Sequence, residues 1–291
     1  MTNQSSSKLQ AILNHLQSCS VLRNGIYITN NLSSTQQNEK SVRDQLATVP
    51  LMTENEILKF VAEHHSFEVM QYELKKFIQK IPTGGVLIDV GTGFGWHWVE
   101  LSKHRPDLVL FLVDFSYASL LLAKRLLNDK CVNQTFFICG DAMDLPFEEG
   151  SVDAYWSVQT LQHVPSWQRA ISEAHRILKK DSMFANYSLN NQKIVEWMYK
   201  KIKRNYIVDG EYIPGINLVR ANNEQRKIIE RCFGTPVEVR YSEVLYSPEL
   251  LITRPGKRGS IIGKLDRYMS GSSIIARSIG RQSSFHAKKV S

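Results

Sequence analysis

Val86-Leu87-Ile88-Asp89-Val90-Gly91-Thr92-Gly93-Phe94-Gly95 is the stretch on which the reading of this chain turns. Four apolar residues and one acid run directly into three glycines at alternate positions, and Trp96 to His104 follows with a helix-like pattern. That order predicts a buried parallel strand, a tight turn and a helix N-terminus. Glycine lacks the Cβ that would keep a ligand away from the backbone. A helix start also presents N–H groups to a carboxylate or phosphate. The spacing narrows the ligand. A dinucleotide fingerprint is G-x-G-x-x-G, its third glycine letting the helix pack on the strand, but here position 96 is Trp. The phosphate loop G-x-x-x-x-G-K-[ST] is absent.

The surrounding runs predict the fold. Leu108 to Val113 is a second apolar run ending in Asp114, 19 positions after Gly95, where a carboxylate can accept from both hydroxyls of a ribose. Thr135 to Cys139 leads into Gly140-Asp141-Ala142, and Val152 to Val158 into Gln159-Thr160-Leu161-Gln162-His163. In the segment Ser166 to Lys179, residues Ala170, Ile171, Ala174, Ile177 and Leu178 share one helical face, and Met183 to Leu189 is the fifth run. Strands alternating with helices predict a doubly wound α/β sheet with its ligand at the carboxyl ends of the strands. The glycine loop, Asp114, Asp141 and His163 all fall at those ends.

In their order, these elements resemble the class I S-adenosylmethionine-dependent methyltransferases, of the group that includes quinone-modifying enzymes. The matching stretches are Asp89 to Gly95, Asp114-Phe115-Ser116, Gly140 to Phe147, Ser151 to Ala154, Leu161 to Pro165 and Glu173 to Lys179, about a third of the chain. The resemblance implies a Rossmann-like, seven-stranded sheet whose last strand is antiparallel. It also implies S-adenosylmethionine as cofactor. Gly91, Thr92, Gly93 and Gly95 would pass beside its methionine part, with Asp89 orienting the loop and an ordered water. Asp114 would hold the ribose, Phe115 would lie near the adenine, Asp141 would accept from the adenine amino group, and the Ala142 N–H would reach a ring nitrogen. Ser157, Val158 and Gln159 would face the cofactor from the fourth strand. Lys179-Lys180-Asp181-Ser182 replaces a Lys-Pro-Gly-Gly turn common in the family, remote from the chemistry. Should a general base be needed, His163 is the candidate, because its ordinary pKa suits proton transfer near neutrality. Its alternative role is packing, as for Trp96, His97 and Trp98.

Outside this core, residues 1–80 read as a helical extension or cap and 81–291 as the methyltransferase domain. Leu9, Ile12, Leu13 and Leu16 suggest a helix, and Gly25 to Thr29 a small strand. Residues 30–50 read as a polar loop, and Thr53-x-x-Glu56 is a capping box. A helix is expected over Phe67 to Ile81. Val237 to Tyr241 is expected as the sixth strand and Ser284 to Val290 as the seventh, so 190–235 and 242–282 become insertions after strands five and six, on the substrate side. Helices are expected near Gln192 to Arg204 and Asn223 to Phe233, joined by a Tyr/Ile-rich loop at 206–216. Tyr199-x-x-x-Lys203 matches a short-chain dehydrogenase pattern without that family's glycine loop, and reads as chance.

Charge is concentrated at one end. Residues 251–291 hold nine Lys or Arg against the single acid Asp266, which equals the +8 of the entire chain. Ile261, Ile262, Leu265, Tyr268 and Met269 share a helical side with Lys264 and Arg267 nearby. That pattern suits an anionic acceptor, a peripheral membrane surface or nucleic-acid phosphates through residues 254–281, or a solvated face. Hydrophobic residues at 43% and charged ones at 22% fit a globular chain. The polar start Met1 to Lys8 lacks a signal-peptide core, and no apolar run approaches a membrane span of about 20 residues. Cys19, Cys131, Cys139 and Cys232 are scattered without C-x-x-C, so neither a disulfide framework nor a metal site is expected, and a cytoplasmic location is. Three functions stay open: methyl transfer to a small-molecule acceptor (natural product, metabolite or lipid-like), methyl transfer to RNA, and cofactor binding without catalysis.

Overall fold

The structure, a computed structural model, describes residues 3–29, 53–128, 133–164, 166–190, 193–201, 221–245 and 259–290. The expected loops at 30–50 and 206–216, Lys203 of the dehydrogenase-like pair and the cations Arg254, Lys257 and Arg258 lie outside the described residues.

A central parallel sheet runs through β3 (Val86–Val90), β4 (Val109–Asp114), β5 (Thr135–Cys139), β6 (Val152–Val158) and β7 (Leu178–Leu189). With β1 (Val21–Arg23), β2 (Ile26–Ile28), β8 (Glu238–Ser242) and β9 (Gln282–Lys288) the order across it is β1-β2-β5-β4-β3-β6-β7-β9-β8. β9 is antiparallel to both β7 and β8, as expected for the last strand. The sheet has nine strands where the sequence predicts seven. The two extra strands form a hairpin whose second member pairs parallel to β5, with Ile26 opposite Phe137. The N-terminal extension therefore covers an open sheet edge as well as supplying helices.

Alternation along β4 explains how helices cover both faces. Val109, Phe111 and Val113 point into one core with Leu9, Ile12 and Leu16 of α1 (Asn3–Cys19) and Ala170, Ile171, Ala174 and Ile177 of α6 (Trp167–Ile177). Leu110 and Leu112 point into the other, with Ile57 and Val61 of α2 (Glu54–His64), Met70, Leu74 and Phe77 of α3 (Phe67–Ile78), and Leu120 and Leu126 of α5 (Tyr117–Asn128). Each fully buried Leu or Ile contributes about 1.5–3 kcal/mol. The capping box forms as read: Thr53 N–H donates to Glu56 (2.7 Å) and Glu56 N–H to the Thr53 hydroxyl (3.4 Å).

Two local expectations fail. Trp96 to His104 is not one helix but a 3-10 turn at Trp96–Trp98 followed by α4 (Leu101–His104). Trp96, His97 and Trp98 are all buried, and an amphipathic helix, which keeps one side in water, cannot bury three consecutive residues. The fifth strand starts at Leu178 rather than Met183, because α6 ends at Ile177 and Leu178 is already extended and paired with Val152. Beyond β7 lie α7 (Lys193–Lys201), α8 (Asn222–Phe233), α9 (Ile261–Met269) and α10 (Ile274–Ile279).

Candidate functional site

The glycine loop leaves β3 at the carboxyl edge of the sheet and doubles back on β4. Gly91 and Thr92 N–H groups donate to the Val113 carbonyl at 2.7 and 3.1 Å, and Gly95 N–H to the Thr92 carbonyl at 3.0 Å. Gly91, Gly93 and Gly95 have φ of 78°, 54° and 67°, in the left-handed region that side chains disfavour. The three do different work. A Cβ on Gly91 would collide with Thr160, whose hydroxyl donates to the Gly91 carbonyl. A Cβ on Gly95 would press on Ala123 and Leu127 of α5. A Cβ on Gly93 would meet no protein atom within 4 Å. Gly93 is therefore the glycine whose bare backbone faces open space, as a cradle for a ligand requires.

The carboxylates around the loop have separate tasks. Asp114, buried at the end of β4, accepts from Gly93 N–H (2.8 Å) with one oxygen and from Ser116 N–H (2.9 Å) with the other. It thus fixes the cradle. Asp89 lies beneath the loop and accepts from the Trp98 indole N–H at 2.7 Å. Burial pushes its carboxyl up to about 7, against the pull of the Trp98 hydrogen bond. Asp141 accepts from Met143 N–H (2.9 Å), folding the turn that follows β5; its neighbour Ala142 is buried, and Phe115, just after β4, is half-buried.

On the β6 side the expected trio divides. Ser157 is fully buried and its hydroxyl donates to the Val90 carbonyl (2.9 Å), so it ties β6 to β3 and does not offer that hydroxyl to a ligand. Val158 is buried. Gln159 is held at φ 50° with its N–H on the Tyr187 carbonyl, and its side-chain Nε2 is buried without a partner. A strained residue with an unpaired buried donor beside a glycine loop is a mark of a binding site. His163 closes the 3-10 turn Leu161–His163, half-buried, 3.4 Å from the Gln162 side chain. Gln162 itself accepts from Leu189 N–H at the end of β7. His97 is packing: burial holds its imidazole down near 3, and it stacks on Trp96 at 3.8 Å.

A second polar cluster at the same edge is missing from the sequence reading. Glu243, just after β8, is buried and accepts from Ser66 N–H (2.7 Å) and the Arg281 guanidinium (2.8 Å), with His65 Nδ1 3.6 Å away. Burial would raise this carboxyl, but His65, Arg281 and Ser66 together outweigh it and hold it below the usual carboxylate range. His65 also packs on Trp96, at 5.7 Å between rings, so this cluster adjoins the segment that follows the glycine loop. The signal lay in strand order: an antiparallel last strand sets the residue before it, Arg281, beside the residue after the sixth, Glu243.

Among the described residues no group of three or more His, Cys, Asp or Glu is placed to hold a metal ion. Residues 88–186 match the family model described as a methyltransferase domain. The chain carries a class I S-adenosylmethionine-dependent methyltransferase domain. The methyltransferase domain is similar to a sterol 24-C-methyltransferase of Pneumocystis carinii, 29% identical over 58% of this chain and 43% of the relative. It is also similar to the ubiquinone/menaquinone biosynthesis C-methyltransferase UbiE of Rickettsia prowazekii, 30% identical over 52% of this chain and 61% of the relative. The chain thus spans less than two thirds of these curated relatives. In fold it resembles a SAM-dependent methyltransferase from Thermotoga maritima (TM-score 0.54, 18% identity, covering 81% of this chain and 95% of that one). It likewise resembles Haemonchus contortus phosphoethanolamine N-methyltransferase 2, solved with S-adenosylmethionine (TM-score 0.56, 17% identity, 86% and 60%).

Proposed function

We propose that this chain transfers a methyl group from S-adenosylmethionine to a small, lipid-like acceptor. The observation that carries the reading is Gly93: a left-handed glycine, clamped by Asp114, whose missing Cβ leaves open space at the carboxyl edge of the sheet. The residues present suit the cofactor. Gly91, Thr92, Gly93 and Gly95 would line its methionine part and Asp114 its ribose. An ionised carboxylate accepts about four hydrogen bonds, so Asp114 has the capacity to hold loop and ribose together. Asp141, Phe115 and the Ala142 N–H would hold the adenine, and Gln159 would donate its buried amide. Asp89, below the loop, would balance positive charge above it.

The bound cofactor supplies an electrophilic methyl on a sulfonium, delivered in line to a nucleophile. The protein's task is alignment and exclusion of water. His163 is the residue we assign to taking a proton from the acceptor, if the acceptor carries one. Support for a lipid-like acceptor comes from the relatives, a sterol 24-C-methyltransferase and a C-methyltransferase of ubiquinone/menaquinone biosynthesis. Residues 1–80 and the segments after β7 and β8 would shape the acceptor side.

Incubating the protein with S-adenosylmethionine and, separately, sterols, prenylated quinols and transfer RNA tests this. Formation of S-adenosylhomocysteine together with a lipid product heavier by one CH₂ is expected. Methylation of RNA alone, or no turnover in a protein that binds the cofactor, overturns the reading. His163→Ala should slow turnover at least about tenfold, within the range of general acid–base catalysis, while cofactor affinity changes little. Unchanged turnover would leave His163 a packing residue.

A further inference from the structure

α9 is built inside out. Its buried residues are Gly263 and Asp266, while Ile261, Leu265 and Tyr268 are exposed, Tyr268 at 77%. A surface helix on a globular core shows the reverse. Hydrogen bonds fix the orientation: Asp266 accepts from Val244 N–H (2.7 Å) and Leu245 N–H (3.2 Å), and the Ser260 hydroxyl caps the start by accepting from Gly263 N–H. The next helix repeats the pattern. α10 buries Ala276 and exposes Ile274, at 83%, and Ile275. α7 packs against α10 and exposes Ile194, Trp197 and Met198. Nine of the thirteen large exposed hydrophobic residues among those described lie on these three helices.

The same helices are basic. Lys200, Lys201, Lys264 and Arg277 are exposed, and the one acid of α9 and α10, Asp266, points inward. We propose that α7, α9 and α10 form a docking surface for an anionic lipid bilayer. Apolar side chains that enter the headgroup layer, ringed by cations that meet its negative charge, make up an interfacial binding face. Exposed apolar clusters of this kind mark interaction sites rather than ordinary surface. Two other occupants fit this face poorly. A second copy in a two-fold dimer would set the four exposed cations against themselves. A nucleic acid would be met through its phosphates and base faces, leaving the isoleucines unused. α7 follows the carboxyl end of β7, and α10 precedes the start of β9 at that same edge, so the bilayer would lie beside the edge that carries the glycine loop.

The protein carries its own reporter. Trp197 is exposed, whereas Trp96, Trp98, Trp156 and Trp167 are buried. Phosphatidylcholine vesicles with and without phosphatidylserine are mixed with the full chain, in the absence of cofactor and acceptor, so the outcome is independent of the methyltransferase reading. The expected result is sedimentation with the anionic vesicles, a blue shift of tryptophan emission that Trp197→Phe abolishes, and weakening by salt. Leu265→Ser with Tyr268→Ser and Ile274→Ser, all at exposed positions, should cut vesicle affinity roughly tenfold or more with unchanged thermal unfolding. No sedimentation with anionic vesicles, equal binding by the triple variant, a dimer in light scattering that the triple variant dissolves, or binding of RNA in place of vesicles would each overturn the proposal.

Discussion

On the β3–β4 side of the sheet's carboxyl edge, the polar contacts join residues close in sequence. Asp114 holds Gly93 from 21 positions away, and Gly95 closes on Thr92. On the β8–β9 side the partners are remote. Glu243 takes the Ser66 N–H across 177 positions and Arg281 across 38. The first region is a short chain segment folded on itself, with backbone N–H groups and glycine φ angles as its working parts. The second is assembled only when the N-terminal helices, the sixth strand and the seventh have all docked. The two should therefore fail differently: damage to the first should cost ligand affinity, and damage to the second should cost stability.

The largest effect tests the remote cluster. Arg281→Ala leaves the buried Glu243 carboxylate without its guanidinium partner, and breaking such a buried pair from one side costs about 3–5 kcal/mol. Urea unfolding should show that loss, while the surviving folded protein binds cofactor nearly as before. A small loss of stability with a large loss of cofactor affinity would invert the comparison.

The next effect tests the local region. Asp114→Ala removes the carboxylate that accepts from Gly93 and Ser116 N–H groups and that we assign to the ribose. Cofactor affinity should fall by about 1–3 kcal/mol, the scale of charge-assisted hydrogen bonds, measured by titration calorimetry. An unchanged dissociation constant would remove Asp114 from the site.

The same division decides what was legible in the sequence. Gly91, Gly93, Gly95, Asp114 and Asp141 were readable because their partners lie within a strand and a turn, so spacing alone encodes the geometry. The central parallel strands were readable because burial on both faces makes them continuous apolar runs. The edge hairpin at 21–28 was only partly readable, since strands of three residues leave no period to detect. His65, Glu243 and Arg281 could not be paired from spacing. Ser157 was misjudged for a subtler reason: its place on β6 was right, but its hydroxyl satisfies the Val90 carbonyl instead of a ligand. The pattern of α9 was legible and its orientation was not, because Asp266 turns the helix by accepting backbone N–H groups outside it.

A smaller, pH-dependent effect sharpens the comparison. Burial raises Asp89 from its ordinary 3.8 to about 7, so the folded state holds a proton that the unfolded chain releases. Its contribution to stability is full below about 3.8 and is lost as pH rises through 7. His97 and His286, both lowered to about 3 chiefly by burial, act in the opposite sense and cost stability as pH falls below 6.5. A cationic cofactor favours ionised Asp89, so its affinity should rise roughly severalfold from pH 6 to 8. Asp89→Asn should flatten that rise. A rise that persists in the variant would assign the proton to another group.

The central claim is that Gly93 opens a cradle for S-adenosylmethionine. Titration calorimetry of the unaltered protein and of Gly93→Val, with S-adenosylmethionine and with a nicotinamide dinucleotide, tests it most directly, circular dichroism confirming that the variant is folded. The account predicts that the unaltered protein binds S-adenosylmethionine and not the dinucleotide, and that folded Gly93→Val binds neither. Binding of the dinucleotide alone, or undiminished S-adenosylmethionine binding by Gly93→Val, would contradict it.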